Sequence, residues 1–307
     1  MKIDLHVHST HSDGKDELPT VYADAADAKL AVMAITDHDT VNGWTHAAEL
    51  AQQYRIGLIR GIEVSTSTTA ETENGTREIS VHMLAYLPDP NRGELLQRVT
   101  EVKVARETRL EVFVKNLQAK YPELTMDAIR AAQKEKESTF GRPDIADALI
   151  KLGVYKSRDE AFEHDLHKNS PFYVPNIGLD TEAAVRMIRA AGGVPIMAHP
   201  MARSKRESAN SGDAAQSERA PRIFPRAHFE QLVDAGLAGF EVHHREVPES
   251  VRDWLLKFVA EHNLIATGSS DYHGMTGKPN RLGENLTSEA ALQAIIAQAT
   301  GIEPILF

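Results

Sequence analysis

The sequence predicts an α/β protein interrupted by an all-helical insertion, and three observations carry that prediction. Short apolar runs of strand length alternate with amphipathic helical stretches through residues 3–86 and again through 194–299. Between residues 94 and 175 the strand-length runs give way to one long and three shorter helical patterns. Histidine is abundant, 14 in 307 residues, and it gathers beside carboxylates where the apolar runs end.

Residues 3–8 alternate, with Ile3, Leu5 and Val7 apolar and Asp4, His6 and His8 polar, so a strand here carries both histidines on one face. Residues 19–30 read as an amphipathic helix, 31–36 as a buried strand, and TDHDT at 36–40 as the polar loop beyond it. A helix over 44–54 and a short strand over 57–62, ending at Glu63, come next. Residues 78–86 alternate again and turn His82 away from Ile79, Val81 and Met83. Strands and helices in this rhythm imply a largely parallel sheet. The insertion reads as helices over 94–120, 125–136, 142–152 and 157–166, followed by a strand-like run at 172–174. Strands over 194–198, 239–243 and 264–267 then alternate with helices over 224–235, 249–262 and 288–299. Residues 203–222, RSKRESANSGDAAQSERAPR, have almost no apolar side chain and read as a surface loop. With neither an internal repeat nor a heptad run, the organisation is a domain of residues 1–93 and 176–307 around an inserted subdomain of 94–175.

Composition narrows the function classes. Lys and Arg number 34 against 44 Asp and Glu, a formal charge of −10, which argues against a broad basic surface for long duplex nucleic acid or an anionic membrane. No run approaches the roughly 18 apolar residues of a membrane helix, and MKIDLHVHS enters a strand pattern at once, without a signal-peptide core. With no cysteine there is neither a disulfide framework nor a thiolate metal site. A soluble, cytoplasmic enzyme is expected.

The chemistry gathers at strand ends. The first strand ends in His6-Val7-His8 with Asp13 beyond it, the second in Asp37-His38-Asp39, and the third in Glu63. His82 lies on the alternating strand, His199 follows 194–198, and Asp271 and His273 follow 264–267. In α/β barrels the carboxyl ends of the strands are where active sites are built. Imidazole and carboxylate without thiolate suit zinc, manganese or iron. Six histidines, two aspartates and one glutamate exceed the roughly four to six ligands of a single ion, so two or three divalent ions sharing a carboxylate or hydroxide are expected. Such a centre activates water and stabilises both attacking and leaving oxygens of a phosphoryl group, which points to phosphoester hydrolysis. Taken singly, each residue has a plainer reading: a hydrogen-bonded loop histidine, a glutamate capping a turn. Their shared topological position is what favours a metal centre.

DLHVHSTHSDG, ITDHDTVNG, GIEVST, HMLAY, AGGVPIMAHP and SSDYHG resemble, in order, the successive motifs of the PHP (polymerase and histidinol phosphatase) family, over nearly all the chain outside the insertion. The resemblance implies a distorted (β/α)7 barrel with a trinuclear metal centre. It implies that His6, His8, Glu63 and Asp271 hold one ion, Glu63, His82 and His199 a second, and Asp13, His38 and His273 a third. FGRPDIADAL resembles the GRPH-type helix start of the subgroup acting on 3′,5′-nucleoside bisphosphates and on the 5′ ends of short RNA or DNA, with Asp144 where that motif has histidine. AGLAGFEVHHRE resembles the subgroup's GLxGIEVYHP segment, with His243-His244-Arg245 in place of Tyr-His-Pro.

Asp13, His38, His199, His243 and His244 are the expected catalytic residues, with His243, His244 or an ion-bound water protonating the leaving oxygen as a metal-bridging hydroxide attacks phosphorus. Arg142 opens a helix beside Pro143, a natural phosphate site. Lys168, Tyr173, His244 and Arg245 are the other expected substrate contacts, and the insertion is the expected substrate cap. Arg203 and Arg206 read as solvated, whereas Asp37 and Asp39 either orient imidazoles or stabilise their loop. The expected partner is a nucleotide or short single-stranded oligonucleotide, since three divalent ions add roughly six positive charges at the site. The function implied is conversion of a 3′,5′-nucleoside bisphosphate to an AMP-type product, with 5′→3′ trimming of short oligonucleotides beside it. A histidinol-phosphate phosphatase or cyclic-phosphate diesterase on the same barrel is the alternative enzyme, and a non-catalytic metal- or nucleotide-binding module the alternative of another class.

Overall fold

The computed structural model describes residues 1–72, 75–132, 142–167, 169–174, 178–200 and 225–307. The chain divides into two units, Met1–Val99 with Leu179–Phe307, and Thr100–Gly178. The chain begins with β1 (Ile3–Val7), α1 (Leu18–Asp27), β2 (Val32–Ile35), α2 (Trp44–Tyr54), β3 (Gly57–Thr72) and β4 (Gly75–Tyr86). Helices α3 (Leu95–Gln118), α4 (Met126–Ala132), α5 (Arg142–Lys151) and α6 (Arg158–His164) follow. The first unit resumes with β5 (Leu179–Asp180), α7 (Thr181–Ala190), β6 (Val194–Met197), α8 (Arg226–Asp234), β7 (Gly239–His243), α9 (Glu249–Glu261), β8 (Ile265–Gly268) and α10 (Glu289–Gln298). Among the described residues, no helix is long and apolar enough to cross a membrane.

Strand order is β1-β2-β3-β4-β6-β7-β8, with β5 beside β3. Every residue of β2 and β6 is buried, as continuous apolar runs require when both faces of a strand are covered. Past β8 the chain returns to β1: the His8 amide donates to the Tyr272 carbonyl at 2.9 Å and the Tyr272 amide to the His6 carbonyl at 3.3 Å. This bridge nearly closes seven strands into a barrel, the (β/α)7 class expected. One core cluster draws on Ile3 and Leu5, Val32 and Ala34, Ile59, Leu84 and Tyr86, Val194 and Ile196, and takes in Leu292 and Ile295 of α10. A second packs α1 and α2 against Met33, Ile35 and Leu58.

Three expectations need correction. The third strand does not end at residue 62: β3 runs to Thr72 and pairs antiparallel with β4 from Gly61↔Tyr86 to Thr72↔Gly75. Residues 64–72 carry Val64 and four β-branched threonines, and Asn-Gly at 74–75 is a hairpin signal. The sheet is therefore mixed, since β4 opposes both β3 and β6 while the other principal neighbours are parallel. Residues 172–174 are not a strand but leave a turn closed by the Tyr173 amide donating to the Ser170 carbonyl and the Phe172 amide to Ser170 Oγ. Helix α7, absent from the sequence reading, starts on Asp180, whose Oδ1 accepts the Ala183 amide at 2.9 Å.

The helical unit has its own core. Leu110, Phe113, Val114 and Leu117 recur at helical spacing on α3 and meet Ile129 of α4, Ile145 and Leu149 of α5 and Ala161 of α6. Buried Asp165 accepts hydrogen bonds from the Tyr121 and Tyr155 hydroxyls, each at 2.5 Å, and from Lys120 Nζ at 3.0 Å. Burial works to raise the Asp165 pKa, yet the phenols and the ammonium hold it below the ordinary value. Replacing Asp165 with Asn is expected to cost about 1.5–3 kcal/mol, measured by urea unfolding at neutral pH. Because the folded-state pKa is depressed, that difference is complete above the ordinary aspartate value of about 4 and disappears as pH falls through the lower folded value. Identical unfolding midpoints at pH 7 contradict it.

Candidate metal centre

Six of the histidines and three carboxylates singled out from the sequence converge in the first unit. β1 presents His6 and the residue just beyond it is His8, the loop after β2 presents His38, and the turn after β6 presents His199. Asp271 and His273 follow β8, and Asp13 stands on the loop after β1. Glu63 and His82 come from within β3 and β4, so the antiparallel hairpin, and not a strand end, delivers them.

Glu63 is the hub. Its Oε2 lies 3.1 Å from His6 Nε2, 3.0 Å from His8 Nε2 and 3.2 Å from His38 Nε2. Its Oε1 lies 2.8 Å from His82 Nδ1 and 3.1 Å from His199 Nε2. Asp271 Oδ1 joins the first group, 3.5 Å from His6 Nε2 and 3.3 Å from His8 Nε2. Asp13 gathers His273 Nε2 at 3.2 Å, His8 Nδ1 at 3.6 Å and His38 Nε2 at 3.9 Å. Among the described residues, three groupings have the donors and spacing to hold a cation: His6, His8, Glu63 and Asp271; His38, Glu63 and His82; and His8, Asp13, His38 and His273. The first is the set implied by the family resemblance; the second has His38 where the resemblance implies His199, and the third adds His8 to the implied Asp13, His38 and His273. Asp271 Oδ1 and His273 Nε2 are buried polar atoms without a hydrogen-bond partner, an arrangement that a bound cation would relieve.

Surrounding groups aim these rings. His6 Nδ1 faces Glu241 Oε1 at 3.0 Å, and Glu241 Oε2 accepts the His199 backbone amide at 2.8 Å. A carboxylate on the far ring nitrogen fixes the tautomer that leaves Nε2 as the donor atom. His273 Nδ1 is engaged in the same way by the Asp271 carbonyl at 2.9 Å. Asp37 accepts the Ser9 amide and the Ser9 and Ser12 hydroxyls at 2.6–2.8 Å, and Asp39 accepts the Ser65 amide at 2.8 Å, so both clasp loops together. Asp4 holds the Ser270 and Gly283 amides at 3.0 and 2.8 Å, and burial raises its pKa to about 6. His199 and Asp271 sit at φ 27° and 54°, a left-handed backbone costing about 1–3 kcal/mol at each non-glycine residue. That strain is located on two residues of the cluster.

His244, not His243, reaches the cluster from β7. Its ring packs 5.3 Å from that of His199 and its Nε2 lies 3.6 Å from Asp271 Oδ2, while Nδ1 accepts the Glu246 amide at 3.1 Å. The β7–β8 register shifts between Glu241 and His243, and irregularities of this kind re-aim side chains. Arg245 is turned to Glu284, with Nε and Nη2 donating at 2.9 and 2.7 Å. In the helical unit, Arg142 Nη1 donates to the Leu166 carbonyl at 3.0 Å, and its guanidinium lies over the Phe162 and Tyr173 rings. Lys168, Arg203 and Arg206 lie outside the described residues. The sequence reading missed Glu241, whose signal is an acid inside the apolar run Gly-Phe-Glu-Val, and Lys278, whose Nζ donates to Asp271 Oδ2 at 2.6 Å.

A model of the PHP domain matches residues 4–153. A phosphoribosyl 1,2-cyclic phosphate 1,2-diphosphodiesterase of Eggerthella lenta is 28% identical over 283 residues, covering 91% of this chain and 97% of that protein. A 3′,5′-nucleoside bisphosphate phosphatase of Chromobacterium violaceum is 32% identical over 200 residues, 64% of this chain and 66% of that one. A crystal structure from Bifidobacterium adolescentis, described as a metal-dependent phosphoesterase, matches with a TM-score of 0.69 at 33% identity, over 97% of this chain and 96% of that one.

Burial alone would lower the His8 pKa, but Asp271 and Glu63 hold it up at about 9. An imidazole must be neutral to ligate, so a divalent ion has to displace this proton. Manganese titrated into the metal-free protein at pH 7 is expected to release at least about one proton, with affinity rising towards pH 9 and falling on acidification. Calorimetry in buffers of different ionisation enthalpy reads this directly, and a buffer-independent heat contradicts it. Glu241→Gln is expected to weaken manganese binding by roughly 10–100-fold; wild-type affinity in that variant would remove its orienting role.

Proposed function

The chain belongs to the PHP family of metal-dependent phosphoesterases, and from that premise we propose that its substrate is a small nucleotide, a 3′,5′-nucleoside bisphosphate converted to an AMP-type product. The observation that carries the reading is the crowding of five imidazoles on the two oxygens of Glu63. A carboxylate so placed can be shared by two cations. In this reading His6, His8, Asp13, His38, Glu63, His82, His199, Asp271 and His273 hold two or three ions of manganese, zinc or iron, a nitrogen and oxygen donor set suited to all three. Such ions, when bound, supply positive charge and Lewis acidity at the phosphoryl oxygens.

The chain's own residues do the rest. Glu241 keeps His6 in register and steadies the His199 turn. His244 Nδ1 accepts the Glu246 amide, which leaves the ring proton on Nε2 facing Asp271. His244 therefore takes the role of proton donor to the leaving oxygen in preference to His243. Net acidity speaks against a long duplex, and a nucleotide substrate goes with action in the cytoplasm.

A second reading has its own support. The Eggerthella cyclic-phosphate diesterase aligns over 91% of the chain, against 64% for the bisphosphate phosphatase, so a ribose cyclic phosphate belongs in the same assay. Phosphate release from nucleoside bisphosphates, and product formation from ribose cyclic phosphate, histidinol phosphate and short oligonucleotides, are to be compared with manganese present. The highest kcat/KM is expected for a nucleoside bisphosphate, and Asp13→Ala is expected to lower it by about 100-fold or more. Faster turnover of the cyclic ester would select the second reading, and no turnover of any nucleotide would end the first.

A further inference from the structure

The segment Gly277-Lys278-Pro279-Asn280-Arg281 beyond β8 contributes no side chain to the described hydrophobic clusters, yet it is held from many sides. Asn280, 1% exposed, donates through Nδ2 to the Ser270 carbonyl at 2.6 Å and to the Asp271 carbonyl at 3.4 Å. Arg281 Nη1 donates to the carbonyls of Lys278 and Asn280 at 3.2 and 2.9 Å. A Cβ on Gly277 would stand 2.2 Å from the His273 carbonyl oxygen, so only glycine lets the loop approach this closely. These fastenings fix the base of Lys278, whose Nζ donates to Asp271 Oδ2 at 2.6 Å.

The two oxygens of Asp271 are divided. Oδ1 faces His6 and His8, while Oδ2 faces Lys278 and His244. One of the three ammonium protons accounts for Asp271, and the side chain keeps 27% of its surface exposed. Ordering a lysine costs more rotamer entropy than ordering most side chains, a large outlay for merely balancing an aspartate that bound ions would also neutralise. A phosphate brought to ions on His6, His8, Glu63 and Asp271 must come close to Asp271, and hence to an ammonium 2.6 Å from it. Lysine serves phosphate as a point charge that needs no fixed approach angle.

We propose that Lys278 is a substrate-contacting residue, donating to a phosphoryl oxygen from its seat on Asp271. The inference rests on the phosphoesterase reading and deepens it, adding a chain cation to the charge supplied by the ions.

The test uses the manganese-loaded full chain, with inorganic phosphate as the probe and metal content measured on the same samples. Lys278→Met is expected to retain wild-type manganese and to bind phosphate at least about 10-fold more weakly. Lys278→Arg is expected to recover most of that affinity, and the KM for the bisphosphate should follow the phosphate affinity through the series. Unchanged phosphate affinity in Lys278→Met overturns the assignment, as does a wild type that binds no phosphate. Affinity that falls only in step with lost manganese also overturns it, making Lys278 a positioning residue for Asp271. Lysine-dependent phosphate binding in a protein that hydrolyses none of the assayed esters would uphold the contact and refute the functional reading instead.

Discussion

One buried carboxylate sets the terms for the rest of the molecule. Glu63 is 1% exposed, and five imidazole nitrogens approach it within 2.8–3.2 Å. Burial alone would raise its pKa, but the positive charge of His38, His6 and His82 holds it well below the ordinary value. Charges taken out of water on this scale cost several kcal/mol each unless paired and hydrogen-bonded. Divalent ions held by these residues would offset that cost and turn a destabilising cluster into a reaction centre.

The barrel is built to hold such a cluster still. β1, β2, β6, β7 and β8 run in parallel sets whose carboxyl ends supply His6 and His8, His38, His199, His244, and Asp271 with His273. The reversed pair β3–β4 adds Glu63 and His82 from mid-strand, where twelve paired residues stiffen them more than a loop would. Buried acids then fasten the loops to one another: Asp37 joins the turn after β1 to the loop after β2, and Asp4 ties β1 to the segment after β8. The left-handed backbone at His199 and Asp271 persists because this frame over-determines it.

Period-two alternation puts His6 and His8 on one face, and the recurrence of histidine beside carboxylate near the ends of the apolar runs singles out the nine cluster residues in the sequence. What escaped depends on three-dimensional direction. The hairpin of β3 and β4 was hidden because Ser-Thr-rich residues look like loop as readily as strand until a partner is known. Glu241 is one acid in an apolar run, and only pairing with β6 and β8 turns it onto His6 and the His199 turn. His243 and His244 are indistinguishable by type, and a register shift decides between them. Lys278 stands in a Gly-Lys-Pro-Asn stretch with no periodic pattern to place it, and side-chain hydrogen bonds bring it to Asp271.

The sharing of Glu63 between ions is the claim on which the chemistry turns, and electron paramagnetic resonance of the manganese-loaded protein tests it most directly. An exchange-coupled spectrum from neighbouring manganese ions is expected in the wild type, collapsing to isolated six-line signals in Glu63→Gln with fewer ions retained. Isolated six-line signals from the fully loaded wild type would contradict it.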